Sequence, residues 1–279
     1  MKIYLNGDIL PLEEARVSVE DRGFLFGDGV YEVVRTYDGR FFRLDGHLRR
    51  LEHSVEGARL PLRHLIGELP AIMQRLLVEN NLRDTNMYIQ YTRGAAHPRT
   101  HAFPKETHPT LLVMPSPIHP VPPQALEDGV SAITVPDQRW ARCDIKSTML
   151  LPNVLAKQQA TDSNAFEAIL VRDGVVTEGS STNIFAVFRA AATTHPTGPH
   201  ILGGITRDAV IGVAATAGVS VREEPFSLEQ LHQAEEVFLT STTAEVVPIT
   251  RVDGRSVGDG RPGPATMRLR EAFLRLTHL

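Results

Sequence analysis

Lysine is scarce in this sequence of 279 residues: Lys2, Lys105, Lys146 and Lys157 are the full set, and arginine carries the remaining basic charge. A side-chain amine that bonds covalently to a carbonyl, or takes a proton from carbon, therefore has few places to come from. Lys2 stands at the terminus, Lys105 in a polar loop after Pro104, and Lys157 on an expected helix from Asn153 to Asp162, where a solvated lysine is ordinary. Lys146 lies in Arg142-Cys143-Asp144-Ile145-Lys146-Ser147, just before the apolar Met149-Leu150-Leu151. That setting suits a nucleophilic amine at the wall of a cavity. A lysine paired with Asp144 on a surface strand fits the same spacing.

Further segments carry groups able to hold a ligand. Thr177-Glu178-Gly179-Ser180-Ser181-Thr182-Asn183 puts glycine and hydroxyls after a strand, a tight hydrogen-bonding turn; Glu178 matters only where something buried needs a carboxylate. Leu202-Gly203-Gly204-Ile205-Thr206-Arg207-Asp208 runs glycines into a helix start, whose N–H groups suit a phosphate, or form a simple helix cap. It is neither a Walker A loop nor a dinucleotide fingerprint. Thr240-Ser241-Thr242-Thr243 clusters hydroxyls at a strand end, for phosphate oxygens or for a turn. In Pro98-Arg99-Thr100-His101, side chains two apart point the same way if the loop is extended. A carboxylate would suit them, and so would solvent.

These segments need elements to hold them. Gly29 to Tyr37 reads as a strand, Asp38-Gly39 as a tight turn and Arg40 to Leu44 as the returning strand. Asp45 is expected to cap a helix carrying Leu48, Leu51, Val55 and Ala58. A second helix carries Leu65, Leu69, Ile72, Met73, Leu76 and Leu77, with Pro70 delaying its start or kinking it. Asn86–Arg93, Thr110–Met114, Val130–Val135, Asn183–Phe188, Glu236–Thr240 and Val246–Val252 read as strands, and Phe166–Arg172 with Val175–Glu178 as a hairpin. Helices are expected over Thr206–Ala217, stopped by Gly218, after Ser227 through a capping box, and after Pro264. Prolines between Pro115 and Pro123 exclude helix and central strand and mark a hinge at 116–123 between domains 1–115 and 124–279. The irregular alternation of elements points to an α+β fold with mixed sheets.

Composition narrows the function classes. Net charge is -4, from 29 basic and 33 acidic residues, so no basic field points to nucleic acid or an anionic membrane. The 11 histidines lack zinc-site spacing, and no metal is expected. Cys143 is the only cysteine, which rules out an intramolecular disulfide and fits a reducing compartment. No leader-like or membrane-spanning apolar run is visible, and the expected class is a cytoplasmic globular protein.

In this order and register the motifs match a known family. Asp21-Arg22-Gly23-Phe24-Leu25-Phe26-Gly27-Asp28-Gly29-Val30-Tyr31-Glu32-Val33, His47-Leu48-Arg49-Arg50-Leu51, the Thr92-Arg93-Gly94 and Pro98–His101 segments, Arg142–Ser147, Thr177–Ser181, Gly204–Asp208 and Thr240–Thr243 carry the match. The sequence resembles the fold-type IV pyridoxal 5'-phosphate (PLP) enzymes, and within them the bacterial D-amino acid aminotransferases, over nearly the whole chain. The resemblance implies a small α/β N-terminal domain and a larger pseudo-barrel C-terminal domain. It implies that Lys146 forms the Schiff base with the cofactor, that Arg50, Ile205, Thr206 and Thr242 hold its phosphate, that Glu178 faces its pyridine nitrogen and that Leu202 packs on its ring. Tyr31, Arg99 and His101 would hold the substrate α-carboxylate. The last two would come from a neighbouring subunit, which implies a homodimer with shared active sites.

The implied reaction is transamination between a D-amino acid, such as D-alanine or D-glutamate, and 2-oxoglutarate or pyruvate, with Lys146 moving the α-proton. Val33 and Arg35 share the Tyr31 face of the strand, and Arg35 either attracts acidic substrates or is an exposed strand charge. His97 is an extra donor beside the Pro-Arg-x-His loop. The competing readings are a branched-chain L-amino acid aminotransferase, an aminodeoxychorismate lyase and a catalytically silent cofactor-binding protein. The Pro-Arg-x-His loop favours the D-specific branch.

Overall fold

In the computed structural model, which describes residues 1–61, 65–106 and 108–277, the chain divides into two units: Met1–Ile118 with Ile145–Met149, and His119–Asp144 with Leu150–Leu279. The fold is α+β, as the mixed order of elements led us to expect.

The first unit comprises β1 (Lys2–Leu5), β2 (Asp8–Pro11), α1 (Arg22–Phe26), β3 (Gly29–Tyr37), β4 (Arg40–Phe41), α2 (Leu44–Gly57), α3 (Leu65–Glu79), β5 (Asn86–Thr92) and β6 (Thr110–Ser116). Its antiparallel six-stranded sheet runs β2-β1-β6-β5-β3-β4. Along β3 the period of two is plain: Val30, Glu32, Val34 and Thr36 are buried, while Tyr31, Val33, Arg35 and Tyr37 face the other way and are partly exposed. Leu51 and Val55 of α2, with Leu69, Met73, Leu76 and Leu77 of α3, join Val30, Val34, Met87, Ile89 and Val113 in one core.

Three local expectations need correction. The returning strand is only Arg40–Phe41, and α2 starts at Leu44 with Arg43 in the left-handed region as its N-cap; Asp45 lies in the first turn, where it still favours the helix dipole. Pro70 does not delay the second helix, which begins at Leu65 and contains it; the side chain of Leu65 lies outside the described residues. Strand β6 includes Pro115, because β1 pairs only with Leu112 and Val113, so no neighbour on that side needs the missing N–H.

Strand β4 pairs only with Thr36 and Tyr37, which leaves the edge of β3 open near Val30. Residues 145–148 occupy that edge. Ser147 bridges Val30, the Tyr31 N–H donates to the Lys146 carbonyl at 2.9 Å, and the Thr148 N–H donates to the Gly29 carbonyl at 3.0 Å.

The second unit comprises α4 (Pro123–Glu127), β7 (Val130–Pro136), α5 (Leu151–Asp162), β8 (Glu167–Arg172), β9 (Val175–Gly179), β10 (Asn183–Phe188), β11 (Ala191–Thr194), α6 (Ile205–Val213), β12 (Ser220–Glu223), α7 (Leu228–Leu231), β13 (Glu236–Ser241), β14 (Glu245–Val252), β15 (Arg255–Ser256) and α8 (Pro264–Thr277). A nine-stranded mixed sheet runs β12-β11-β10-β13-β14-β7-β8-β9, with β15 beside β14. Strands β9 and β10 are joined by Ser180–Thr182 yet stand five places apart in that order. Such a link reaches about 14 Å, whereas five spacings of a flat sheet cover about 24 Å. The sheet therefore curls back on itself as a half-barrel, with the Gly179 N–H donating to the Thr182 carbonyl at 2.7 Å. Inside, Phe185 stacks on Phe238 at 4.7 Å. Helix α6 ends at Val213, earlier than expected, and the chain turns before Gly218 takes a positive φ of 66°. The Ser227–Gln230 capping box forms as read.

Candidate active site

The first unit assembles a cluster around Lys146. Its backbone N–H donates to Ser54 Oγ at 3.0 Å, its carbonyl accepts from Tyr31, and its Nζ lies 4.2 Å from the centre of the Tyr31 ring. Tyr31 in turn packs on Tyr88 at 5.8 Å. Burial pushes the Tyr88 phenol up to about 12, so its hydroxyl stays protonated and donates to Gln90 Oε1 at 2.7 Å. Asp144 is engaged by Arg142, which donates to it at 2.8 and 2.9 Å.

On the opposite face of β3, Glu32 is fully buried. Arg50 donates to both its oxygens, Nε at 2.6 Å and Nη2 at 2.9 Å, and His47 Nδ1 lies 2.8 Å from Oε2. Residues 47, 50 and 54 share one face of α2 because three and four residues are close to one turn, which delivers His47, Arg50 and Ser54 together. Burial acts to raise the Glu32 carboxyl, but the Arg50 charge and the His47 hydrogen bond outweigh it and hold it well below the usual range. Burial lowers His47, with the Arg50 and Lys146 charges adding to the effect against the pull of Glu32. A neutral imidazole with its proton on Nδ1 is the tautomer this geometry assigns.

Arg99 and His101 are exposed on the loop after β5. Both lie on Phe26: the Arg99 guanidinium is 4.5 Å from the ring centre, and the His101 ring meets it edge-on at 5.4 Å. Tyr31 makes ring contacts with Lys146 and Tyr88. His97 is exposed, with Nδ1 2.9 Å from Glu20 Oε1. Arg35 lies over the Tyr37 ring at 4.7 Å.

The second unit holds the remaining expected residues. Glu178, buried at the end of β9, is paired with Arg139 Nη1 through Oε1; its Oε2 accepts from Asn183 Nδ2 at 2.9 Å and from the Leu202 N–H at 3.0 Å. Arg139 also donates through Nε and Nη2 to the two oxygens of Asp137, each at 2.9 Å. Burial pushes the Glu178 carboxyl above its ordinary value, opposed by Arg139 and the Leu202 N–H. A buried acid with a raised affinity for protons is suited to share one with a basic ring nitrogen. Arg139 and Asp137 escaped the sequence reading because no periodicity links them to Glu178. The only signal was a charge pair flanking a predicted strand end.

Helix α6 opens at Ile205 and Thr206 with Gly204 as N-cap and no side-chain cap, so its first N–H groups are donors of the kind that suit a phosphate. A Cβ on Gly204 would stand 2.0 Å from Asn183 Oδ1, so only glycine lets the chain pass the residue that holds Glu178. Thr206 is buried, and Thr242 sits in the turn between β13 and β14. The nearby Thr240 hydroxyl is buried without a hydrogen-bond partner, and Thr240 stands opposite Asn183 in the β10–β13 ladder. Among the described residues no group of three or more His, Cys, Asp and Glu could hold a metal ion.

Residues 29–252 match the amino-transferase class IV family. The chain belongs to that family. It is 45% identical over 272 residues to a D-alanine aminotransferase of Staphylococcus epidermidis, covering 98% of this chain and 96% of that one. In structure this class IV aminotransferase is similar to the branched-chain amino acid aminotransferase of Escherichia coli, with a TM-score of 0.91 at 30% identity and coverage of 98% and 93%. It is also similar to the branched-chain amino acid aminotransferase of T.th. solved with pyridoxamine 5'-phosphate, with a TM-score of 0.88 at 30% identity and coverage of 99% and 94%. The family resemblance read from the motifs is thus borne out.

Proposed function

We propose that this chain is a PLP-dependent aminotransferase that exchanges the amino group of a D-amino acid with a 2-oxo acid, as a homodimer. The observation that carries the reading is full-length likeness to D-alanine aminotransferase at 45% identity, against 30% for the branched-chain enzymes. The donor set fits the cofactor: an uncapped helix start, and a buried threonine hydroxyl at Thr240 that lacks a partner close to Thr242, suit a phosphate, and a buried acid with raised proton affinity suits a pyridine nitrogen. When bound, pyridoxal phosphate supplies an aldehyde for a covalent bond to an amine and a ring that takes up the electrons of a carbanion.

The chain's own residues do the rest. Lys146 would carry the aldehyde and, once its amine is released, move the proton at the substrate α-carbon. Glu178, fixed by Arg139, Asn183 and the Leu202 N–H, would keep a proton on the ring nitrogen. Arg50, the N–H groups of Ile205 and Thr206, and the Thr242 hydroxyl would hold the phosphate, and Leu202 would pack on the ring. Tyr31 would hold the substrate carboxylate together with Arg99 and His101 of a second copy. Exposed Leu151, Val154 and Leu155 on α5, and exposed Val17, Val19 and Phe24, give apolar surface of the kind a homodimer covers. Among the described residues no helix is long and apolar enough to cross a membrane; a cytoplasmic location is part of the proposal.

The test is a screen of D- and L-amino acids with 2-oxoglutarate, followed by borohydride reduction and peptide mapping. D-alanine is expected to be turned over well ahead of L-leucine, with the pyridoxyl label on Lys146. Faster turnover of L-leucine, elimination of pyruvate from aminodeoxychorismate, or a label elsewhere would overturn the reading.

A further inference from the structure

We propose that Arg22 is a positioning residue for substrate recognition, fixing through the backbone the loop that presents Arg99 and His101. This rests on the reading above, in which those two side chains hold the α-carboxylate.

Between β5 and β6 the chain from Arg93 to Pro109 contains no helix or strand among its described residues. A stretch of this length without a ladder needs other anchors if its side chains are to stand in one place. At residues 100–102 one guanidinium supplies them. Arg22 is buried, 5% exposed, although it lies on a five-residue helix. Its Nη1 donates to the Thr100 carbonyl at 2.6 Å and the Ala102 carbonyl at 3.3 Å, and its Nη2 donates to the His101 carbonyl at 3.2 Å. Three successive carbonyls thus turn toward one planar donor, while the side chains of Arg99 and His101 stay exposed.

The remaining donor, Nε, reaches Asp28 Oδ2 at 2.7 Å. Asp28 also accepts from Arg93, Nε at 2.8 Å and Nη2 at 3.0 Å. Arg93 is fixed to the Arg59 and Ala58 carbonyls and places its guanidinium 3.7 Å from the Phe103 ring centre. The loop is therefore held at 100–102 by Arg22 and at 103 by Arg93, with one carboxylate between the two arginines. Phe26, one turn beyond Arg22 on α1, lies 4.9 Å from the Arg22 guanidinium and carries Arg99 and His101. Arg22 and Phe26 together fix both the backbone and the direction of the two presented side chains. A lysine keeps the charge but not the fork of donors that meets three carbonyls.

The experiment measures D-alanine kinetics of the holoenzyme for wild type, Arg22→Lys, Arg99→Ala and the double variant. It adds hydrogen exchange of loop amides 99–106 and thermal stability; Phe26→Leu, which retains Arg22, is a second arm. Arg22→Lys is expected to raise KM for D-alanine about tenfold with kcat changed far less, as for a misplaced binding group, and to speed exchange in the loop. In the Arg99→Ala background the same substitution is expected to have a much smaller effect, since the two act through one contact. Phe26→Leu is expected to raise KM in the same direction. An unmoved KM, an equal effect in both backgrounds, or unchanged loop exchange overturns the proposal and leaves the aminotransferase reading intact. A wild type that does not turn over D-alanine rejects both.

Discussion

Glu32 shows how much a single side chain decides in this fold. A carboxylate with no exposure is stable as an ion only if a cation and hydrogen-bond donors are fixed around it, and the Arg50 guanidinium and the His47 Nδ1–H meet that need. In return Glu32 orients the arginine proposed for the phosphate. Its folded-state pKa is depressed. Its stabilising effect is therefore complete above the unfolded value of about 4.3 and is lost as pH falls toward the folded value. Glu32→Gln removes that dependence. The variant should be about 3–5 kcal/mol less stable near neutrality, the range for breaking a buried pair, and should show a flatter loss of stability below pH about 4. Urea denaturation of the apoprotein across the acid range checks both. An acid slope equal to wild type would show that Glu32 is not the group being protonated. The clue to this cluster lies in the sequence: Glu32 is in phase with the buried Val30 and Val34, opposite to Tyr31. What alternation alone lacks is the partner, since Arg50 lies on a different element.

Elements place the chemistry by what they leave open. Strand β3 leaves an edge beside Val30 for the Lys146 segment, and α6 leaves its first N–H groups without a side-chain cap. The β3–β4 turn at Asp38-Gly39 and the Ser227 capping box were legible because they depend on residues a few positions apart. The short strands β11 and β12 were not, since they exist through pairing with β10 and with each other. The early start of α2 is not legible because Arg43 adopts a left-handed conformation that no local pattern demands. Gly204 tests the element argument at one atom. Its φ of -71° is open to any residue, so Gly204→Ala acts only through the 2.0 Å approach to Asn183. Asn183 must move, and Glu178 loses a donor. Cofactor affinity should fall about tenfold, the cost of one hydrogen bond to a charged group, read by fluorescence titration of the apoprotein with pyridoxal phosphate. Unchanged affinity would place Asn183 outside the ring-nitrogen contact.

At the scale of the whole molecule, the arrangement within one chain poses its own question. Arg99 and His101 lie on Phe26, while Tyr31 lies with Lys146 and Tyr88. A carboxylate trap drawn from all three residues by two copies, each giving its loop to the other, is the arrangement proposed above. The motif order implied this only by resemblance, because nothing in the spacing of Tyr31 and Arg99 says which copy meets which. Complementation decides it. Assayed at D-alanine concentrations far below the raised KM of Arg99→Ala, Lys146→Ala and Arg99→Ala should each be close to inactive. In a mixed dimer, exchange of loops between subunits makes one site carry both defects and the other carry none. Unfolding and refolding the two inactive variants together in equal amounts yields half mixed dimers if pairing is random, and so about one quarter of wild-type sites. Recovery near that fraction is the expected outcome, rising from the level of either variant refolded alone. If each loop served its own chain, every site would keep one defect and mixing would restore nothing. The measurement thus reads the direction of the loop without any need to see the complex.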